Sequence, residues 1–390
     1  MNFVFADISG KVTNFDYMAC AAITSQLEKN DSILLFAPYN QSEIDTIHQN
    51  FKCGECKIKH LINLVPIQAK MSVGRWKRIL KALEGVLNYI YIYLYVVFHE
   101  VDVLHLAWLP YIDYSSIEYY FLKAIKFFKP KLRIVLTVHD VYPHNISEEV
   151  IPTYRKRFSK VCYPVNKFIV HTASCKRQLI KDFGIDACTI NIGYHPMFEP
   201  KHIVTKENVT EDDKFKIIMY GIQTPYKGAD ILVDAVGLLS HEYQDHLEVR
   251  IMGKMAMDYY EVLKNKSKKL NIDINPNYIQ VKELQNSINN SNIIILPYRS
   301  ISQSGVLLTA LYYRKIIITS DLPSFKETLD GFKDDWFFKS NEPQDLARLI
   351  ALYLDRKIDL ERQENILEKL RNRYSWNEYA KIHIINSKIY

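Results

Sequence analysis

Three strand-to-helix junctions in the second half of the chain carry residues suited to holding an anion. The first is Tyr220-Gly221-Ile222-Gln223-Thr224-Pro225-Tyr226-Lys227-Gly228. Lys227 there can neutralise a diphosphate, while Gly221 and Gly228 let backbone come close, with Gln223 between them. The G-x-x-x-x-G-K-[ST] pattern is absent, so this is no Walker A loop. The second junction runs Leu296-Pro297-Tyr298-Arg299-Ser300-Ile301-Ser302-Gln303-Ser304-Gly305-Val306. Ser304 suits a helix cap, and the N–H groups of Gly305 and Val306 would then aim partial positive charge at a phosphate; the same residues also describe an ordinary capped helix. In the third, Ser320 to Glu327, the Glu327 carboxylate suits a ribose or sugar hydroxyl, or else sits in a first helical turn and favours the dipole.

Two junctions in the first half suit a hydroxyl or an anion. Thr137-Val138-His139-Asp140-Val141-Tyr142-Pro143-His144 ends a buried-type strand in His139, Asp140 and His144. A strand-end imidazole can bond a sugar hydroxyl or phosphate oxygen in either protonation state near neutral pH, or be structural. Ser9-Gly10 follows the opening strand and permits close backbone approach to an anion or hydroxyl, or makes a plain tight turn. No G-x-G-x-x-G follows, so there is no dinucleotide fingerprint. Cys53-Gly54-Glu55-Cys56 with His48 and His60 has four potential zinc ligands, but lacks the second paired knuckle of a structural site and reads better as a polar loop with reduced thiols.

Positioning these junctions requires strands whose carboxyl ends converge. Short apolar runs at residues 3–6, 33–37, 61–65, 101–106, 134–138 and 168–170, then 216–220, 247–252, 278–281, 293–296 and 316–319, alternate with longer helix-period segments. That alternation specifies βα units around parallel sheets, an α/β class in which ligands sit at the strand ends. The chain of 390 residues exceeds one ordinary core and suits two such domains. A turn-rich stretch from Gly193 to Pro200 and polar residues through Asp213 divide them. The expected layout is a domain over 1–195, a linker over 196–213, a second domain over 214–372 and a closing helix over 373–390.

Composition narrows the class. Hydrophobic residues at 48% and charged residues at 24% fit a globular protein, and a net charge of +6 without a dense basic stripe argues against nucleic acid as a partner. The six cysteines are scattered, and the N-terminus lacks the pattern of a secretory leader, so a cytoplasmic location is expected. Residues 71–98 place Arg75-Trp76-Lys77-Arg78 before a Tyr-rich apolar run. The segment suits either a helix covering one face of the first sheet or peripheral contact with a membrane, at the inner face of the cell membrane.

The ordered set Gly221, Lys227-Gly228-Ala229-Asp230, Pro297-Tyr298, Gln303-Ser304-Gly305-Val306-Leu307, Lys315 to Asp321 and Glu327 resembles the retaining glycosyltransferases of GT-B fold known as group 1 or family 4. Val101-Asp102-Val103-Leu104-His105-Leu106, Thr137-Val138-His139-Asp140 and Tyr374-Ser375-Trp376 extend the resemblance over nearly the whole chain. It implies a GT-B architecture, two Rossmann-like doubly wound domains facing a central cleft. It further implies a nucleotide diphosphate-sugar donor, UDP- or GDP-linked, on the C-terminal domain, and an acceptor on the N-terminal domain. On that pattern Lys227, Gly221, Gln223, Ser304, Gly305, Val306, Glu327 and Gly10 hold the donor. His139 and Lys227 act in catalysis, and Ser9, Asp140 and His144 face the acceptor. No metal or other cofactor is implied, and the setting is cell-surface polysaccharide biosynthesis with a glycan or lipid-linked acceptor.

Two departures stand out. The family commonly has an arginine shortly after the glycine at Gly221, where this chain has Ile222 and Gln223; and Ile301 and Thr309 occupy the places of a glutamate pair. A sugar-nucleotide epimerase of GT-B fold and a non-catalytic GT-B-like partner subunit are the alternatives.

Overall fold

The computed structural model describes residues 1–10, 13–63, 75–143, 146–199, 214–301 and 304–388. It divides into two compact units, Met1–His195 with Trp376–Tyr390, and Pro196–Ser375. Most of the expected linker (200–213), residues 71–74 and His144 lie outside the described residues.

In the first unit seven strands form one sheet: β1 (Asn2–Ala6), β2 (Ser32–Ala37), β3 (Lys57–His60), β4 (Val103–Leu106), β5 (Arg133–Val138), β6 (Lys167–Val170) and β7 (Ile190–Ile192). Their order is β3-β2-β1-β4-β5-β6-β7, all parallel. Six helices connect them: α1 (Thr13–Thr24), α2 (Gln41–Asn50), α3 (Arg75–Phe98), α4 (Ile117–Phe128), α5 (Ile151–Cys162) and α6 (Ala173–Phe183). Strands buried on both faces carry near-continuous apolar runs, as Val103–Leu106 and Ile134–Val138 do. On one side, Tyr89, Ile92 and Val96 of α3 and Phe121, Leu122 and Ile125 of α4 close over Val4, Leu104 and Leu136. Local signals fix several ends. Asn40 and Glu43 form a reciprocal capping box on α2, and α6 starts on the Thr172 cap and stops at left-handed Gly184.

The second unit repeats the plan with β8 (Phe215–Tyr220), β9 (Leu247–Met252), β10 (Ile272–Asn275), β11 (Ile293–Leu296), β12 (Ile316–Ser320) and β13 (Phe337–Phe338). Their order is β10-β9-β8-β11-β12-β13. Its helices are α7 (Ala229–Gly237), α8 (His241–Asp245), α9 (Met257–Lys266), α10 (Val281–Asn289), α11 (Gly305–Tyr312), α12 (Pro323–Thr328), α13 (Pro343–Leu354) and α14 (Leu360–Arg373). The strand order reverses beside β1 in one unit and beside β8 in the other, between β1 and β4 and between β8 and β11, where doubly wound sheets open a crevice for ligands. The last helix, α15 (Trp376–Lys388), returns to the first unit and packs on α1: Phe15 lies 5.8 Å from the Trp376 ring and 5.7 Å from Tyr379.

Two strands fall away from their expected places. The run 278–281 is not a strand; Val281 opens α10 and the edge strand is Ile272–Asn275, whose Asp273 and Asn275 obscure its apolar alternation. Likewise β3 is Lys57–His60, just before the apolar run that starts at Leu61, because an edge strand tolerates lysines.

Candidate active site

In the second unit the geometry gathers three residues around one point. Gly221, which ends β8, has φ +101°, a backbone conformation that favours glycine. A Cβ built there would meet Val306 Cγ2 at 3.1 Å and Lys227 Nζ at 3.3 Å. The strand end, the lysine and the first turn of α11 therefore converge at the β8/β11 switch point. Lys227 is only 9% exposed, and its ammonium has no hydrogen-bond or ion-pair partner among the described residues. It lies 5.5 Å above the Tyr298 ring, and burial pushes its pKa below the usual lysine range. Ser304 caps α11 through Leu307 N at 3.2 Å, so the leading N–H groups of that helix stand beside the same point.

The turn that carries Lys227 is braced from below. Gly228 has φ +73°, and a Cβ there would stand 2.0 Å from Pro297 O, so only glycine fits. Arg299 grips Asp230 with two bonds of 2.9 and 2.7 Å and donates to Pro225 O, while the Asp230 carboxylate also accepts from the Tyr259 hydroxyl at 3.0 Å. Arg299 is thus committed to Asp230 and does not replace the arginine that the sequence lacks after Gly221. Gln223 is buried too, with Nε2 donating to Met252 O at 3.3 Å and Oε1 left without a partner. It borders a cavity of about 700 Å³ lined by Ile222, Thr224, Lys254, Asp258 and Tyr259. Glu327 is half-buried near the end of α12, not in its first turn, so the first-turn reading of that acid is corrected.

In the first unit a cavity of about 480 Å³ opens at the ends of β1, β4 and β5. It brings together Ser9, His139 and Asp140 from the sequence reading and adds Trp108, Asp113 and Tyr154. Trp108 stacks on His139, centroids 4.0 Å apart and rings 4° from parallel. The tautomers follow from the hydrogen bonds. His171 Nδ1 sits 2.7 Å from Gly193 O and must donate, so its Nε2 accepts from His139 Nδ1 at 3.0 Å. His139 Nε2 is left with a lone pair, buried and without a hydrogen-bond partner among the described residues. Burial first, then His171 and His195, push the His139 pKa well below its ordinary value, which keeps this acceptor neutral.

The Ser9-Gly10 turn is less available than the sequence suggests. Asp7 Oδ1 receives the N–H groups of Ser9 and Gly10 and the Ser9 hydroxyl at 2.7–3.1 Å, while Tyr39 donates to the other oxygen. Asp16, wholly buried beside Asp7, has its pKa raised first by burial and then by the Asp7 charge. Asp7 and Trp108 follow their strands by one and two residues, a position rule that would have found both; Asp16 lies inside α1, where nothing local marks it. No group of three His, Cys, Asp or Glu side chains suited to a metal occurs among the described residues, and His48 and His60 near the C-x-x-C instead bond Tyr17 and Tyr39.

Residues 201–373 match the family described as glycosyl transferases group 1. The second unit thus carries a group 1 glycosyltransferase domain. The matched segment contains Gly221, Lys227, Ser304 and Glu327. Solved structures share the whole architecture. A glycosyltransferase from Rickettsia africae aligns at TM-score 0.69 and 14% identity, over 99% of this chain and 97% of its own. Anabaena HepE in complex with UDP aligns at TM-score 0.69 and 13% identity over the full length of both. The lipopolysaccharide outer core galactosyltransferase WaaB aligns at 0.63 and 14% identity, over 99% of each. These likenesses establish the GT-B fold. No curated protein matches the chain.

Proposed function

We propose that this glycosyltransferase moves a sugar, with retention of anomeric configuration, from a UDP- or GDP-linked donor to a hydroxyl of a glycan or lipid-linked acceptor. The setting we propose is cell-surface polysaccharide assembly at the inner face of the cell membrane, without a metal or other cofactor. The observation that carries this reading is the buried Lys227 ammonium, which has no counter-ion among the described residues and lies beside Gly221 and the start of α11. A buried cation is stable only when an anion completes it, and a leaving diphosphate does so while its charge develops. Gly305 and Val306 N–H groups would share that charge, and the cavity beside Gln223 would take the nucleoside.

In the reaction the acceptor oxygen bonds to the anomeric carbon as the bond from that carbon to the β-phosphate oxygen breaks on the same face. The nucleoside diphosphate takes the electron pair, and the acceptor hydrogen passes to it. His139 Nε2 would accept a bond from a donor-sugar hydroxyl, with Asp140 and Ser9 toward the acceptor; the neutral imidazole suits this and needs no proton transfer. Asp7 is engaged in holding the Ser9-Gly10 turn and Asp16 is wholly buried beside it, which disfavours a glycosidase-type nucleophile and acid. The UDP complex of HepE and the cell-surface product named for WaaB favour a UDP-sugar and an envelope setting.

The test is incubation with UDP- and GDP-sugars with and without glycan acceptors, reading product configuration by NMR. The reading requires acceptor-dependent transfer with retention. Donor rearrangement without acceptor would make the chain an epimerase, an inverted product would remove retention, and failure to bind any sugar nucleotide would leave a partner subunit.

A further inference from the structure

The helix α3 has two faces of different character. Inward, Tyr89, Ile92 and Val96 join the core, Asn88 exchanges bonds of 2.9 and 3.0 Å with the Ile62 backbone, and Tyr89 donates to buried Glu118 at 3.2 Å. Outward, Ile79, Leu80, Leu83, Val86, Leu87, Ile90, Tyr91, Leu94 and Phe98 are all exposed. Their spacing is that of a single helical stripe, along a helix of 24 residues, about 36 Å long. Phe128 of α4 rests 6.1 Å from Tyr93 of α3, and Phe127 beside it is 80% exposed, so the apolar surface continues onto the second helix. Isolated exposed apolar residues are ordinary; a continuous stripe of this length is an interaction surface.

Charge selects the occupant. Residues 75–81 carry Arg75, Lys77, Arg78 and Lys81 with no acid, and residues 123–133 carry Lys123, Lys126, Lys129, Lys131 and Arg133 with no acid. Lys123, Lys129 and Lys131 form no ion pair among the described residues. A second copy docked face to face would set these basic ends against one another. An anionic lipid surface would complement them, with the stripe in the acyl region and the lysines at the headgroups. The segment Ile79–Phe98 is long and apolar enough to cross a bilayer by length and composition. The bonds of Asn88 to Ile62, of Tyr89 to Glu118 and of the Tyr111 hydroxyl to Lys81 O tie its other face to the protein, so the helix lies in the membrane plane.

We propose that α3 and the end of α4 form an in-plane docking surface for anionic lipid bilayers. The inference deepens the reading of a membrane-borne acceptor, on which it rests for its purpose, and does not involve the donor residues. The test is co-sedimentation of the full chain with phosphatidylcholine vesicles and with vesicles that also contain phosphatidylglycerol. The two variants are Leu83→Glu/Leu87→Glu and Lys123→Glu/Lys131→Glu. The wild type is expected to partition onto anionic vesicles and much less onto neutral ones, and each variant to lose at least about tenfold. Both variants should keep wild-type thermal midpoints and nucleotide diphosphate affinity, since all four residues are exposed. Wild-type protein that stays in the supernatant, or variants that partition like it, would overturn the proposal. So would a concentration-dependent dimer that Leu83→Glu/Leu87→Glu abolishes, which would assign the face to a second copy. Vesicle binding that persists when no nucleotide diphosphate binds would sink the donor reading alone.

Discussion

An unpaired ammonium inside a protein weakens the fold it sits in, so Lys227 has opposite effects on stability and on the proposed chemistry. Lys227→Met should raise the thermal midpoint or leave it unchanged while turnover drops by roughly two to four powers of ten, measured by melting and by steady-state rates on one preparation. A destabilised variant with near-normal turnover would reverse the account. Asp7 and Asp16 make a second contrast. Burial and then Asp7 raise the Asp16 pKa and its oxygens accept no bond among the described residues, so Asp16→Asn should change little, whereas Asp7→Asn weakens the acceptor of three donors in the Ser9-Gly10 turn. Urea unfolding should show about 1–3 kcal/mol lost for Asp7→Asn only. The sequence pointed to Lys227, Gly221 and Val306 because each lies in a junction between a strand and the next helix. It could not show that Asp7 already occupies the Ser9 and Gly10 N–H groups, which depends on a carboxylate turning back on its own chain.

At the scale of elements, the turn from Pro225 to Gly228 is the piece whose rigidity matters. Asp230 from α7 and Arg299 from the loop after β11 hold it, and Gly228 lets it touch Pro297. Arg299→Met should therefore lower kcat while leaving the fold intact, by loosening Lys227 rather than by removing a charge from the substrate. Gly228→Ala, which sets a methyl group 2.0 Å from a carbonyl, should lower both stability and activity. Thermal melts beside rates separate the two; a pair of variants with equal losses in both would contradict this division. Central strands were legible because burial on both faces demands continuous Ile, Val and Leu, as in Ile293–Leu296. Edge strands were not: Lys57–His60, Ile190–Ile192 and Phe337–Phe338 are short and partnered on one side, so little in them records the sheet.

At the scale of the molecule, two Rossmann-like units repeat one strand order, and each places its polar residues at the point where that order reverses. The first unit also gathers histidines about Phe15 and Tyr379. His105, His139, His171 and His383 are buried with pKa values lowered, to about 4 for His171 and about 3 for His383. A lowered imidazole favours the folded state only while the unfolded ring is also neutral. Stability should thus hold above about pH 6.5 and fall below it, at up to about 1.4 kcal/mol per pH unit for each ring. Glu118, raised to about 6, and Asp16 act in the opposite sense over the acidic range but are fewer. Urea midpoints measured from pH 8 to pH 5 should fall steeply below pH 6.5; a flat profile would mean the rings are not buried neutral.

The most direct test of the central claim is calorimetric titration of the purified chain with UDP, GDP and ADP, beside Lys227→Ala. The account predicts that UDP or GDP binds selectively and that the variant loses that affinity without losing its fold. Equal binding by wild type and variant would contradict it, because the buried ammonium would then hold no diphosphate.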